Sequence, residues 1–458
     1  MQQQKGDFSQ GSIPRTIIRL AVPLMIAQII NVLYSLVDRI YIGHMEGVGQ
    51  LALTGVGVAF PVITIITAFT NMCGMGGSPL FAMARGKGND RRASAVLGNA
   101  CALLLILAVV LMALGFAFRR PLLYLFGASS ETISYAEDYL IIYLVGTPFS
   151  MLATGLNPFI NAQGFAVRGM LTVLLGAVIN IVLDPILIFG AGMGVQGAAL
   201  ATIFSQFVSA VWVLHFLTGK KVTIRLELRQ MRLSFRIVGP LLGLGVSPFV
   251  MSMTNSVVQA MYNSSLQFYG GDVYVAAMTV ITSIREVILM ALHGVTNGAQ
   301  PVIGYNYGAK LYHRTREGIR FMGWFCVLYT LVVWLILLLF PGPVIHLFNN
   351  EPELLEVGEY GVRLFFSMQL FMALQSIGQN TFLSLGMSRY ATFFSLFRKV
   401  ILVVPMILIL PRLFDLGTTG VLLAEPISDV IGGVACFTTM MFTVWRRLKR
   451  EERQEEKV

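Results

Sequence analysis

Five carboxylates stand inside long apolar runs of this 458-residue chain: Asp38, Asp184, Glu286, Glu425 and Asp429. A charged side chain at the centre of a membrane helix costs about 2.5–3.5 kcal/mol on insertion scales, so such a group needs a partner or a task. Asp184 follows Asn180 by four residues in GAVINIVLDPILIF, which sets an amide and a carboxylate one helical turn apart on one face. Pro185 removes a backbone hydrogen bond near Ile181 and frees a carbonyl as a further oxygen. Asp38 lies in NVLYSLVDRIYIG, and Thr202, in the run after Asp184, offers a hydroxyl. Two carboxylates, an amide and a hydroxyl suit proton exchange or a hard monovalent cation such as Na+, which prefers oxygen ligands. The competing reading pairs Asp38 with Arg39 or sends it to the outer interface. Neighbouring residues point about 100° apart on a helix, which makes the intrahelical pair poor.

Glu425 and Asp429 repeat the four-residue spacing, with Pro426 marking a kink. They read either as a second titratable site or as interhelical partners of Arg398 or Lys399. Glu286, beside Arg285, reads as half of an ion pair with another helix. His293, two turns further along, reads as a bundle histidine with a hydrogen bond, or as a proton relay with Glu286. Asn255, Gln259 and Asn263 form an amide stripe, and Gln369, Gln375 and Gln379 lie together further on. Such amides bond helices together or line a wet cavity. Among the 23 methionines, Met251, Met253, Met261, Met290, Met368 and Met372 share these segments, where a polarizable, adaptable side chain suits promiscuous recognition. Tyr34, Phe149 and Phe159 could stack on an aromatic cation, though single rings more often pack. The substrate-contact candidates are therefore Tyr34, Asn255, Gln259, Met261, Met290 and Gln375.

The elements that must hold these groups are transmembrane helices. Apolar residues make up 56% of the chain and charged residues 12%, against about 25% charged in soluble proteins. Twelve apolar stretches are separable, near 17–43, 51–81, 93–118, 132–160, 167–190, 195–217, 234–266, 273–304, 314–340, 354–385, 390–411 and 419–445. Residues 1–15 are polar and the next apolar run is too long for a cleavable signal, so that run counts as a span. Of the basic residues in the connections, 24 fall on the side of the termini and only Arg119, Arg120 and Arg412 on the other. Lys5 and Lys457 are in the larger set. The positive-inside rule makes both termini cytoplasmic in a plasma-membrane protein, and it accounts for the net charge of +10 without a nucleic-acid partner.

The chain also repeats at an offset of about 222 residues: Leu125-Phe126 answers Leu347-Phe348, Pro79 answers Pro301, Gly164 answers Gly386, and the segment from Gly197 answers that from Gly420. Six spans per repeat is an even number, which gives two six-helix bundles of like orientation related by a pseudo-twofold axis. The fold expected is an all-α integral membrane protein with an N-lobe (1–219), a basic cytoplasmic linker (220–233), a C-lobe (234–445) and a charged cytoplasmic tail (446–458). Two such bundles make a carrier by alternating access; a flippase for lipid or lipid-linked precursors is the alternative with the same architecture. Nothing marks an enzyme or an ATP site: there is no Walker A, HExxH or GxSxG, and GMGG at Gly74–Gly77 closes an apolar run. No cofactor is implied beyond a coupling H+ or Na+. Cys73, Cys101, Cys326 and Cys436 read as packed thiols.

VPLMIAQIINVLYSLVDRIYIGH, then GGSPL with ARGKG, then NGAQPVIGYNYGAK resemble the multidrug and toxic compound extrusion (MATE) transporters, most of all their bacterial MepA-like branch. The resemblance covers essentially the whole chain. It implies a secondary active efflux antiporter for cationic or amphiphilic small molecules, driven by inward H+ or Na+. It also implies an N-lobe cation site made of an Asp in span 1, an Asn and an Asp in span 5 and a Thr in span 6, which fall on Asp38, Asn180, Asp184 and Thr202. Another MATE branch carries C-lobe acids in spans 7 and 10. This sequence has Asn255 in span 7 and no carboxylate in the interior of span 10, a departure that argues against coupling by that route.

Overall fold

A computed structural model describes residues 7–45, 47–346 and 352–455. Leu347 and Phe348 of the repeat, and Lys5 and Lys457 of the basic set, lie outside them. Among the described residues the chain is helical, with no strand. This is the outcome expected of backbone in hydrocarbon, where every N–H and C=O must be satisfied within the segment. The first six spans are α1 (Ile13–Gly43), α2 (Gly49–Gly86), α3 (Asp90–Leu125), α4 (Ile133–Ala162), α5 (Ala166–Pro185) and α6 (Gly194–Thr218). The second half comprises α7 (Phe235–Gly308), α8 (Tyr312–Leu339), the short α9 (Pro341–His346), α10 (Pro352–Phe365) and α11 (Gln369–Ser384). It continues with α12 (Ser388–Leu396), α13 (Val404–Ile409), α14 (Gly417–Met440) and α15 (Arg446–Glu455).

Ten stretches among the described residues are long and apolar enough to cross a membrane. One of them, α7, folds back at Gly271, whose φ of 73° lies in the left-handed region, so its arms 235–270 and 272–308 are two spans. The Thr282 hydroxyl donates to Gln259 Oε1 at 3.1 Å across that hairpin. The remaining span, the tenth in chain order, is α10 followed by α11, each too short alone. It was expected as one helix over 354–385. It breaks after Phe365, and within the break the Ser367 carbonyl accepts from the Trp334 indole at 2.8 Å.

By contact the described chain divides into two units: Asp7 with Val22–Ser252, and Phe8–Ala21 with Met253–Val458. In the first, α2 and α4 approach through glycine: a Cβ on Gly74 would stand 2.6 Å from the Gly155 carbonyl oxygen. Val56, Phe81, Leu97, Leu104, Leu144 and Phe159 fill the core around that crossing. The start of α7 packs here too. Leu241 belongs to this core, and a Cβ on Gly245 would meet the Met72 carbonyl oxygen at 2.0 Å. In the second unit Tyr262, Ile281, Phe365, Phe366 and Val421 form the core, and Gly433 lets α14 lie against Phe371 of α11. The repeat is visible in local detail. Gly164 and Gly386 both take positive φ, at 85° and 74°. Gly197 and Gly420 each press against the end of the preceding span, at Leu187 and Leu410.

Candidate functional site

Asp38 comes from the second half of α1, Asn180 and Asp184 from α5, and Thr202 from α6; all belong to the first unit. Their exposures are 7%, 1%, 0% and 9%, so four polar side chains are withdrawn from solvent together. The Asn180 amide nitrogen bridges two of them, donating to Asp184 Oδ1 at 3.2 Å and to Thr202 Oγ1 at 3.4 Å. Asp38 and Asp184 lie within electrostatic reach of each other. Three oxygens of this set, Asp38 Oδ1, Asn180 Oδ1 and Asp184 Oδ2, are buried with no donor among the described residues. Buried acceptors without donors are costly, and here they belong to two mutually repelling carboxylates and an amide. What relieves that arrangement is positive charge: a proton on a carboxylate, or a small cation among the oxygens. Among the described residues no group of three or more His, Cys, Asp or Glu side chains could hold a metal ion. The donors of the quartet are hard oxygens, the kind that a proton or a small hard cation prefers.

Arg39 does not pair with Asp38. Its guanidinium lies 4.6 Å from the Phe60 ring centroid. Tyr34 stands within electrostatic reach of Asp38 and Asp184, so this residue, singled out for substrate contact, adjoins the carboxylate pair. Tyr139, on α4 and not singled out from the sequence, is buried close to Asp38 and Thr202. No charge or spacing flags it; only the packing of α4 on α6 brings it in.

The second unit holds a different arrangement. Glu425 Oε1 accepts from Arg285 at 2.8 Å, from Lys399 Nζ at 2.9 Å and from Arg398 at 3.4 Å. Arg398 also pairs with Asp429, and the Tyr262 hydroxyl donates to Glu425 Oε2 at 3.4 Å. The interhelical-partner reading of Glu425 and Asp429 is the one this geometry supports. The ion pair expected of Glu286 is a correction: Arg285 makes it, while Glu286 is exposed and has no ion pair among the described residues. His293 has a solvent-accessible side chain on the second arm of α7 and makes no ion pair among the described residues. Of the amide stripe, Asn255 is exposed, while Gln259 donates to Asn263 at 3.2 Å and accepts from Thr282, so those amides tie helices together. Met261 and Met290 are half-buried, and Gln375 is buried with its Oε1 lacking a donor among the described residues. Phe159 packs edge-on against Phe81, and Phe149 against Phe207. All four cysteines are buried and free.

The MatE family model matches residues 23–186 and 248–409, one stretch in each repeat. The chain is 23% identical over 438 residues to the multidrug export protein MepA of Staphylococcus haemolyticus, covering 96% of this chain and 94% of that protein. It is 27% identical over 437 residues to an FAD transporter of Shewanella oneidensis, covering 93% and 94%. A crystal structure of MATE in the bent conformation superposes with a TM-score of 0.91 at 24% identity, covering 99% of both chains. An outward-facing multidrug resistance MATE family transporter gives 0.88 at 24% identity, covering 99% of this chain and 100% of that one.

Proposed function

The chain belongs to the MatE family, and from that premise we propose that it is a secondary active antiporter, not an enzyme. It exports cationic or amphiphilic small molecules, with inward H+ or Na+ as the driving ion. The observation that carries the reading is the buried quartet Asp38, Asn180, Asp184 and Thr202, whose three donorless oxygens suit a monovalent cation or a proton. The ion that binds there must favour one facing state over the other, since an ion with equal affinity for both couples nothing. Binding changes the packing of α1 around Asp38, lowers affinity for the exported molecule and reopens the carrier inward. Both termini are cytoplasmic in this reading, and the membrane is the plasma membrane.

A flippase for phosphate-bearing lipids would need free intramembrane cations. Three of the intramembrane cations, Arg285, Arg398 and Lys399, are instead engaged by Glu425 and Asp429, which favours the antiporter. The relative described as an FAD transporter favours a second cargo reading, in which a metabolite is exported by the same coupling. Purified protein in liposomes, with ethidium or FAD enclosed and ΔpH or ΔNa+ imposed, tests all of these. Asp38→Asn should abolish ion-driven export while the protein remains monodisperse. Export at the wild-type rate by that variant would overturn the coupling assignment.

A further inference from the structure

In the first unit a cavity of about 150 Å³ opens between the end of α2, the start of α3 and the start of α7. Leu80, Met83, Val96 and Ile237 give it an apolar floor, and Lys87, Arg92 and Arg236 line it with three cations. No carboxylate lines it, and none of the three has an ion-pair partner among the described residues. Two helices begin beside it: Arg92 is in the first turn of α3 and Arg236 in the first turn of α7. Helix N-termini carry partial positive charge; at α3 it is offset by Asp90 in the first turn and by the Asn89 side chain, which accepts from Arg92 N at 2.9 Å, so the three side chains supply the field.

The chain builds this place deliberately from the linker. Ser234 N donates to Asn99 Oδ1 at 2.8 Å, Asn99 Nδ2 donates to the Gln230 carbonyl at 3.2 Å, and the Ser94 hydroxyl donates to the Arg225 carbonyl at 3.3 Å. A Cβ on Gly98 would lie 2.4 Å from the Gln230 carbonyl oxygen, so glycine is what lets the linker lie this close to α3. The start of α7 is thereby fixed beside the start of α3, and like charges are held together around an apolar hollow. Lys87, Arg92 and Arg236 are solvent-exposed, so their mutual repulsion is screened, and an anion seated among them is attracted by all three.

We propose that this cavity binds the phosphodiester headgroup of an anionic phospholipid from the cytoplasmic leaflet, with the first acyl carbons on the apolar floor. A solvated basic loop needs no such floor, and inorganic phosphate gains nothing from it; the combination fits an amphiphile. Basic pockets between helices on the cytoplasmic side are suited to anionic headgroups. Only the choice of leaflet rests on the orientation in the antiporter reading; binding in detergent does not.

The test is native mass spectrometry of the full-length protein in neutral detergent, titrated with dioleoyl phosphatidylglycerol or dioleoyl phosphatidylcholine. Each basic side chain near an anionic headgroup is worth roughly fivefold in affinity, so phosphatidylglycerol should bind at least about tenfold tighter than phosphatidylcholine. Arg236→Gln should lose about fivefold and the triple variant Lys87→Gln, Arg92→Gln, Arg236→Gln about a hundredfold. The charge-preserving triple Lys87→Arg, Arg92→Lys, Arg236→Lys should bind as the native chain does. Excess inorganic phosphate should leave the lipid adduct in place. Equal binding of the two lipids, full retention by the neutral triple, or displacement by inorganic phosphate each overturns the proposal. Should the neutral triple fail to fold, the two-lipid comparison on the native chain and Arg236→Gln still decide. Drug export is not the readout, so failure here and failure of the antiporter reading are separate results.

Discussion

Glu425 Oε1 takes donors from three cationic side chains, Arg285, Lys399 and Arg398, with Asp429 the one further carboxylate in the network among the described residues. Breaking a buried ion pair by removing one partner costs about 3–5 kcal/mol, because the other charge is left uncompensated. Glu425→Gln would leave three cations facing one carboxylate, whereas Lys399→Met would leave two cations facing two. Thermal unfolding in detergent should therefore show a much larger loss of stability for Glu425→Gln than for Lys399→Met. Equal losses would mean that charge balance does not govern this network. The acids of both units were legible in the sequence because i, i+4 spacing is local and carboxylates in apolar runs stand out. Their partners were only partly so. Arg398 and Lys399 were named as candidates, but Arg285 was taken as the neighbour of Glu286, since one position along a helix decides which face a side chain meets. Tyr139 has no charge to give it away.

The helices themselves were legible from apolar run length, and their interruptions much less so. Gly271 sits at φ 73°, ψ −166°, a region open essentially to glycine alone, where another residue is strained by on the order of 1–3 kcal/mol. Gly271→Ala should lower the melting temperature and leave Gly57→Ala, where a Cβ meets open space, as a near-neutral control. The break in the tenth span had no sequence signal, since the Trp334 indole that bonds the Ser367 carbonyl there comes from α8, far along the chain. The tail is a second such case. The helix α14, a π-helical turn over Met441–Trp445 and α15 run on for 38 residues to Gln454, roughly 57 Å at 1.5 Å per residue, so the charged end projects beyond a hydrocarbon core of about 30 Å. There Glu452 pairs with Arg316 and accepts from His313 at 2.8 Å, and Arg316 stacks on Trp445 at 4.6 Å. Desolvation opposes ionisation of Glu452, yet the hydrogen bonds from His313 and Arg316 outweigh it and hold its carboxyl below the ordinary glutamate value. A carboxyl depressed in the folded state adds stability above its unfolded value, about 4.3, that is lost as pH falls through the lower folded value. The melting temperature of the native chain should drop across that acid range, and Glu452→Gln should flatten the drop.

Over the whole molecule, the asymmetry of basic residues predicts an orientation, and the buried native thiols make it easy to test. Ser130 and Lys220 are exposed, in connections assigned to opposite faces. In whole cells a membrane-impermeant maleimide should label Ser130→Cys directly and Lys220→Cys only after permeabilisation; the reverse pattern would invert the topology. The internal repeat was readable from Gly164 with Gly386 and Gly197 with Gly420, since a glycine forced by positive φ or close approach leaves the same mark in each copy. Less visible was where the first bundle ends. Apolar counting places its last helix at 217, but Leu241 is part of its core and Gly245 lies against Met72. A nascent chain that has delivered only α6 thus lacks a piece of the first bundle's interior. That bundle closes during synthesis only once the ribosome has passed Ser252, by which point the basic linker is already captured along α3. Fragments for co-expression should accordingly be cut beyond Ser252, at a connection such as 309–311, and not in the linker that looks like the natural seam.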